Sequence, residues 1–173
     1  MTIQAVKIKK ILYATDLSKN AHYAFSYAVS LGEHYGAALV LLHVLPETPK
    51  PLDKRVIGYI GAARWEQIKH QHFNEAREAL IGKRNDHAAV TDVLNQFHKD
   101  VKKGGDHAED EIIVETGNTV GIILKCATDK LCDLIVMGTH GHGSLTDAMM
   151  GSTARRVSRK SRIPVLTVRL PDE

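Results

Sequence analysis

Residues 133–152 read DLIVMGTHGHGSLTDAMMGS, an apolar run followed by a glycine-rich loop that ends in Gly151-Ser152. The apolar run, 133–137, is a candidate strand, and 151–162 has the spacing of a helix. Glycine lets a backbone approach a bulky anion, and a helix N-terminus offers free N–H groups to phosphates. The stretch therefore predicts a strand, a phosphate-binding loop and a helix. The alternative is that its first glycines serve a tight turn and its last serine only caps the helix.

The rest of the chain continues this alternation of strand and helix. Apolar runs of strand length recur at 8–15, 38–45, 111–115 and 164–168. Apolar residues three and four apart mark helices at 19–35 and 118–130, with Ser18 and Asn118 available as caps. Runs that are apolar on both faces suit parallel strands covered on both sides. The pattern predicts an α/β fold, a doubly wound five-stranded parallel sheet with right-handed crossovers.

Length and composition limit the organisation of the chain. The 173 residues, 43% of them hydrophobic and 25% charged, predict a single domain over 1–173. Thirteen glycines and five prolines exclude a collagen-like chain, and the apolar content excludes a disordered one. The stretch from about 54 to 109 is longer than one crossover needs, and its two helical stripes predict an extended helical crossover.

Nothing in the sequence indicates export or insertion into a membrane. The N-terminus lacks the apolar core of a signal peptide, and no run approaches the roughly 18–20 apolar residues of a membrane span. Cys126 and Cys132 lack CxxC spacing, which predicts two reduced thiols. We expect a cytoplasmic protein without a membrane partner.

Two familiar phosphate-binding motifs are incomplete here. Gly138 and Gly143 have the spacing of a Walker A loop, but Ser144 stands where its lysine belongs. The GHG of 141–143 begins a GxGxxG motif, yet Thr146 replaces the third glycine. The loop therefore belongs to neither class.

A more specific resemblance lies in the spacing Gly138-x-x-Gly141, nine residues, Gly151-Ser152. It is similar to the G-2x-G-9x-G-[ST] nucleotide-binding signature of the universal stress protein family. The blocks KKILYATDLS, LLHVL, DLIVMGTHG and GSTARRV look like that family in the same order, from about residue 7 to 170. The resemblance implies sheet order 3-2-1-4-5, an adenine nucleotide alpha-hydrolase-like, Rossmann-like fold, and membership of the branch that binds ATP.

The resemblance also implies a set of nucleotide-binding residues. In chain order they are Ala14, Thr15, Asp16, Val44, Met137, Gly138, Gly141, His142, Gly151, Ser152 and Thr153. Asp16 matches the acidic residue beside ribose, phosphates and metal, and Val44 matches a residue whose backbone contacts adenine near the first two residues of the set. Met137 and Gly138 match the wall and floor under the ribose, and the later glycines with the following serine and threonine match the phosphate-binding group. His142, where the family often has Arg or Lys, is expected near the phosphates when protonated.

Asp16 also has a structural interpretation. It stands two residues before Ser18 and could form an Asx turn into the helix. One carboxylate is too few for a full metal cage, so the expected Mg²⁺ or Mn²⁺ would be held by phosphate oxygens and water, with Asp16 as a possible protein ligand. His140 and His142, two residues apart, do not supply a transition-metal site.

The predicted function is a nucleotide-dependent stress-response regulatory module that binds ATP or another adenine nucleotide, with at most slow hydrolysis. One alternative is an enzyme, an ATPase or nucleotidyl transferase of the same superfamily. For that activity the chain shows no Walker lysine and no clear base beyond Asp16. The other alternative is a partner-binding dimer that takes no nucleotide.

Two parts of the sequence are relevant to binding partners, the last strand and the last helix. The last strand, at about 164–170, is too apolar for a bare sheet edge. The family dimerises through this strand, so a homodimer is expected. A basic cluster lies on the last helix: Arg155, Arg156, Arg159, Lys160 and Arg162. Because no aromatic residues are interleaved with these charges, we interpret the cluster as a solvated face and do not expect a nucleic-acid partner.

Overall fold

The computed structural model describes residues 6–45, 63, 90–92, 94–95, 110–141 and 150–171. Most of the predicted crossover at 54–109, and the loop 142–149 with His142, lie outside the described residues. In chain order the elements are β1 (Lys10–Thr15), α1 (Lys19–Tyr35), β2 (Ala38–Leu45), β3 (Glu111–Thr116), α2 (Thr119–Asp129), β4 (Leu134–Gly138), α3 (Ser152–Lys160) and β5 (Val165–Val168).

The five strands form one parallel sheet in the order β3-β2-β1-β4-β5. The chain moves outward from β1 to β2 and β3, then crosses back to β4 on the other side of β1. Ligands of open α/β sheets bind beyond the carboxyl ends of the strands at such a reversal. The predicted doubly wound fold and its strand order are confirmed, and the reversal lies between β1 and β4.

Alternation along the strands gives the sheet two buried faces. One face packs against α1, and Tyr13 of β1 lies there against Phe25 with ring centroids 4.8 Å apart. The Tyr13 hydroxyl donates a hydrogen bond to the Ala21 carbonyl at 2.6 Å, so this large residue is buried without losing its polar partner. Val90 and Leu94, described helical residues of the crossover, belong to the same cluster.

The opposite face packs against α2 and α3. Its cluster combines strand residues with Ile123 and Ala127 of α2 and Ala154 and Val157 of α3. The described helices are too short or too polar to cross a membrane. Both cysteines are free thiols beside this face, and burial raises the pKa of the Cys132 thiol to about 12. Burial also raises the pKa of Cys126.

Helix caps explain where α1 and α2 begin. The Ser18 hydroxyl accepts a hydrogen bond from the Ala21 N–H at 3.1 Å, and the Asn118 side chain accepts one from the Gly121 N–H at 2.9 Å. Both predicted caps are therefore confirmed. At the other end of α1, Gly36 adopts φ 62°, which suits glycine and closes the helix.

Two aspartates tie together the amino ends of neighbouring strands. Asp133, just before β4, accepts hydrogen bonds from the backbone N–H groups of Lys9 at 2.7 Å and Lys10 at 3.1 Å at the start of β1. Asp110, just before β3, accepts one from the Leu39 N–H of β2 at 2.7 Å. These carboxylates accept hydrogen bonds from N–H groups at the amino ends of the strands, opposite to the carboxyl ends where ligands of such sheets bind.

Candidate functional site

The carboxyl ends of β1, β2 and β4 bring three predicted residues onto one face. Ala14 pairs with Met137 across β1 and β4, and Val44 lies near the end of β2. All three belong to the cluster on the α2 and α3 side, and each is about 6% exposed or less. Because their side chains are buried, a ligand at this edge would meet mainly backbone atoms. The backbone role expected of Val44 stays a prediction.

The corner between β1 and α1 is held by its own side chains. The Thr15 hydroxyl accepts a hydrogen bond from the Leu17 N–H at 3.0 Å, and Leu17 adopts φ 64°. The Thr15 carbonyl lies 2.8 Å from Nδ1 of the fully buried His43. Asp16 Oδ1 accepts a hydrogen bond from the Ser18 N–H at 3.0 Å. The Asx turn considered for Asp16 is therefore present, and it directs the chain into α1.

The second carboxylate oxygen of Asp16 lies against the loop that follows β4. A Cβ built on Gly141 would overlap Asp16 Oδ2, so a side chain at 141 would displace the carboxylate. Oδ1 makes the Asx turn, and Oδ2 faces the loop at Gly141. The structural and the ligand-facing interpretations of Asp16 are thus compatible, and Asp16 and Gly141 form one side of the candidate site.

Thr139 links the loop to three elements. Its N–H donates to the Val168 carbonyl of β5 at 2.8 Å, and its carbonyl accepts from the Gly151 N–H at 2.8 Å. Its hydroxyl lies 3.0 Å from His140 Nδ1 and accepts a hydrogen bond from the Asn20 side chain at 3.3 Å. Sequence reasoning missed Thr139 and Asn20, because their pairing joins positions 119 residues apart.

The N-terminus of α3 lies beside this loop. Gly151 precedes the helix and makes no side-chain cap hydrogen bond, so the alternative that Ser152 caps the helix is wrong. Ser152 is exposed and Thr153 is half-buried in the first turn. The first N–H groups of a helix have no partner within it, and no side chain of the described residues caps this end, so it suits an anion.

Two of the signature glycines have steric reasons of their own. A Cβ on Gly151 would lie 2.9 Å from the Thr139 carbonyl oxygen. A Cβ on Gly138 would lie 3.1 Å from the Asn20 amide nitrogen and 3.2 Å from the Ala21 backbone nitrogen. Gly138 therefore lets α1 approach β4 closely, and its α-carbon faces that helix.

The described residues would hold a cation only together with the oxygens of a bound phosphate. Among the described residues no three His, Cys, Asp or Glu side chains converge on a point. Asp16 is the carboxylate at the candidate site, and hard cations such as Mg²⁺ accept one carboxylate together with phosphate oxygens and water. His142, the other charged candidate, lies outside the described residues.

Residues 7–169 match the family model described as the universal stress protein family. The chain belongs to this family. Universal stress protein MJ0577 of Methanocaldococcus jannaschii is 30% identical over 167 residues, which are 95% of this chain and 97% of that protein. The solved structure of MJ0577 aligns with a TM-score of 0.65 at 28% identity, covering 97% of this chain and all of that one.

A universal stress protein solved in complex with cAMP has the same fold. It aligns with a TM-score of 0.59 at 20% identity, covering 94% of this chain and 98% of that one. The family and the fold that the sequence motifs predicted are therefore both confirmed. Among the predicted residues, Ala14 pairs with Met137 and Asp16 lies against Gly141, and Asn20 contacts Thr139 and His140 in the same loop.

Proposed function

We propose that this universal stress protein binds an adenine nucleotide, ATP in the first instance, beyond the carboxyl ends of β1, β2 and β4. The observation that carries the proposal is the N-terminus of α3, which no described side chain caps and which the Gly151–Thr139 hydrogen bond fixes beside the Asp16–Gly141 contact. The N–H groups and the partial positive charge of a helix N-terminus suit the phosphates of a nucleotide. Ser152 and Thr153, in the first turn of α3, would add hydroxyl donors.

The other predicted residues receive complementary roles. Ala14, Thr15 and Val44 would offer backbone atoms to the adenine, and Met137 with Gly138 would lie under the ribose. Asp16 would accept hydrogen bonds from the ribose or hold Mg²⁺ or Mn²⁺ jointly with phosphate oxygens and water. His142, once protonated, would add positive charge near the phosphates. The cAMP complex of a related protein makes an adenine nucleotide the first ligand to test.

The proposed role is regulatory, with at most slow hydrolysis. Fast phosphoryl transfer needs strong charge stabilisation and a positioned nucleophile, and Ser144 stands where a Walker lysine would supply such charge. We further propose a cytoplasmic homodimer formed by the strand at 164–170. The single domain over 1–173 with its extended crossover at 54–109 also stays a prediction.

One observation favours a second candidate, the partner-binding dimer that takes no nucleotide. Gly138 and Gly151 have packing reasons that hold without any ligand. The signature spacing would therefore persist in a chain that had lost its nucleotide. A binding measurement separates the two candidates.

The test is calorimetric titration of MgATP into the wild type and a Ser152→Asp variant. Ser152 is exposed, and an acidic residue in the first turn favours the helix, so the variant should fold. Its carboxylate would repel phosphates, and we expect the affinity for MgATP to fall about tenfold or more. Ser158→Asp, on an exposed position of the same helix, is the matched control and should bind as the wild type does.

Either of two results would contradict the proposal. If the wild type takes no adenine nucleotide, the partner-binding dimer becomes the leading account. If Ser152→Asp and Ser158→Asp both bind normally, the nucleotide lies elsewhere.

A further inference from the structure

We infer that Asn20 is a positioning residue for the loop that follows β4, which begins at Thr139. This inference rests on the proposed function. Asn20 lies in the first turn of α1 and is 7% exposed. Its side-chain nitrogen donates to the His140 carbonyl at 3.0 Å and to the Thr139 hydroxyl at 3.3 Å. One amide thus joins α1 to two successive residues of the loop after β4.

The orientation of the Asn20 amide follows from its partners. A carbonyl oxygen can only accept a hydrogen bond, so the atom facing the His140 carbonyl must be the nitrogen. The amide oxygen is therefore directed away from the loop. Within the described part of the chain, this oxygen is buried without a hydrogen-bond partner.

A buried oxygen without a partner costs free energy that an apolar side chain of similar size would not. Thr139 and His140 are half-buried, so water can replace the Asn20 amide at their oxygens. Asparagine at position 20 is thus a weak choice for stability alone. What it supplies is a fixed geometry for the loop.

Two contacts connect Asn20 to the proposed phosphate site. Asn20 holds Thr139, and the Thr139 carbonyl accepts the Gly151 N–H at the start of α3. Fixing Thr139 therefore fixes the direction of the backbone N–H groups that follow Gly151 in the first turn of α3. Binding sites gain affinity when such groups are held in the bound arrangement beforehand.

The test compares Asn20→Leu with wild type by MgATP titration, chemical unfolding and hydrogen exchange of 139–141 in the free protein. We expect faster exchange in 139–141 and an affinity about tenfold or more lower, while the unfolding midpoint stays at or above that of the wild type. Lys19→Leu, at the exposed neighbouring position, is the matched control and should change neither exchange nor affinity.

The possible outcomes separate positioning from a merely structural role. Unchanged affinity in a folded Asn20→Leu variant would overturn the inference, and so would a parallel loss of stability and affinity. If Asn20→Leu does not fold, Asn20→Asp keeps the shape and removes the donor, and the same loss of affinity is expected. A wild type that binds no adenine nucleotide overturns the proposed function and this inference together, whereas binding by the wild type with normal variants overturns only the inference.

Discussion

Leu17 and Leu131 are two residues other than glycine with positive φ, at 64° and 55°. This region costs an L-residue roughly 1–2 kcal/mol. Leu17 is fully buried in the α1 face, so its packing offsets that cost and holds the corner at Asp16. Leu131 is 81% exposed, and nothing comparable offsets its strain.

The position of Leu131 is one that usually carries glycine. The Cys132 N–H donates to the Ala127 carbonyl at 2.9 Å, and the Leu131 N–H donates to the Thr128 carbonyl at 3.1 Å. These two bonds form a Schellman motif at the end of α2, in which the residue with positive φ is commonly glycine.

Leu131→Gly should therefore stabilise the protein. Relief of the strain, less the greater backbone freedom of glycine in the unfolded chain, leaves a gain of about 0.5–1 kcal/mol in the free energy of unfolding. Urea denaturation measures it. Leu131→Ala removes the same exposed side chain but keeps the strain, so a gain in both variants would show that backbone conformation is not the cause.

At the same scale, the sequence predicted only some of the residues that meet at the candidate site. Asp16, Gly141 and Gly151 stood out because their chemistry is local and their spacing is regular. Asn20 and Thr139 did not, because an asparagine in a first turn and a threonine after a glycine are ordinary until the fold joins them. A side chain at Gly138 would crowd α1, and this constraint also arises only in the tertiary fold.

At the scale of elements, the charges of α3 conflict with the dipole of the helix. It carries no acidic residue in its first turn, and Arg155 lies there, where the helix end is already positive. Arg155 and Arg159 are also four residues apart with like charge. Only the basic residues of the last turn, Arg159 and Lys160, complement the dipole.

Arg155→Glu should make the helix more stable in the absence of nucleotide. The change relieves one repulsion, creates a Glu–Arg pair in the favourable orientation and suits the helix end, for about 0.5 kcal/mol at low salt. Thermal unfolding at low and high salt measures the gain, which should shrink as salt screens the charges. Arg162→Glu, beyond the end of α3, serves as control; an equal gain there would mean that net charge is responsible.

The bounds of the described strands and helices were predicted to within two residues, and those of α1, 19–35, without error. The runs at 38–45 and 164–168 were predicted to within a residue, because apolar content on both faces is a direct signature of a covered parallel strand. The predicted helix 151–162 ends at Lys160 instead. The Ser161 hydroxyl accepts a hydrogen bond from the Ile163 N–H at 3.0 Å, and this turn ends the helix before Pro164.

At the scale of the whole molecule, β5 lies at an edge of the sheet. The Ile135 N–H donates to the Pro164 carbonyl and the Thr139 N–H to the Val168 carbonyl. Peptide groups alternate in direction along a strand, so the N–H of Thr167 points to the open edge. This edge is the one that the proposed homodimer would use.

Thr167→Pro should therefore convert a dimer to a monomer while leaving the bonds between β4 and β5 intact. Proline removes the outward N–H and is tolerated at an edge position of this kind. Light scattering at micromolar concentration gives the mass of both proteins. Thr167→Val keeps the N–H and should stay dimeric; a wild-type monomer, or a dimer that survives proline, would contradict pairing through β5.

The steric reasons for Gly138 and Gly151 bear on how such chains are recognised by pattern matching. A side chain would overlap the Thr139 carbonyl at Gly151 and crowd the start of α1 at Gly138, so packing favours glycine at both positions even in relatives that no longer bind a ligand. Gly141 differs, because its constraint comes from one side chain, that of Asp16. If an ancestor lost its ligand, position 16 would still need a side chain that forms the turn to Ser18, but serine there would serve, and Gly141 would then be free to change with it. A sequence search that weighted positions 16 and 141 above Gly138 and Gly151 would separate relatives that bind the ligand from relatives that have lost it.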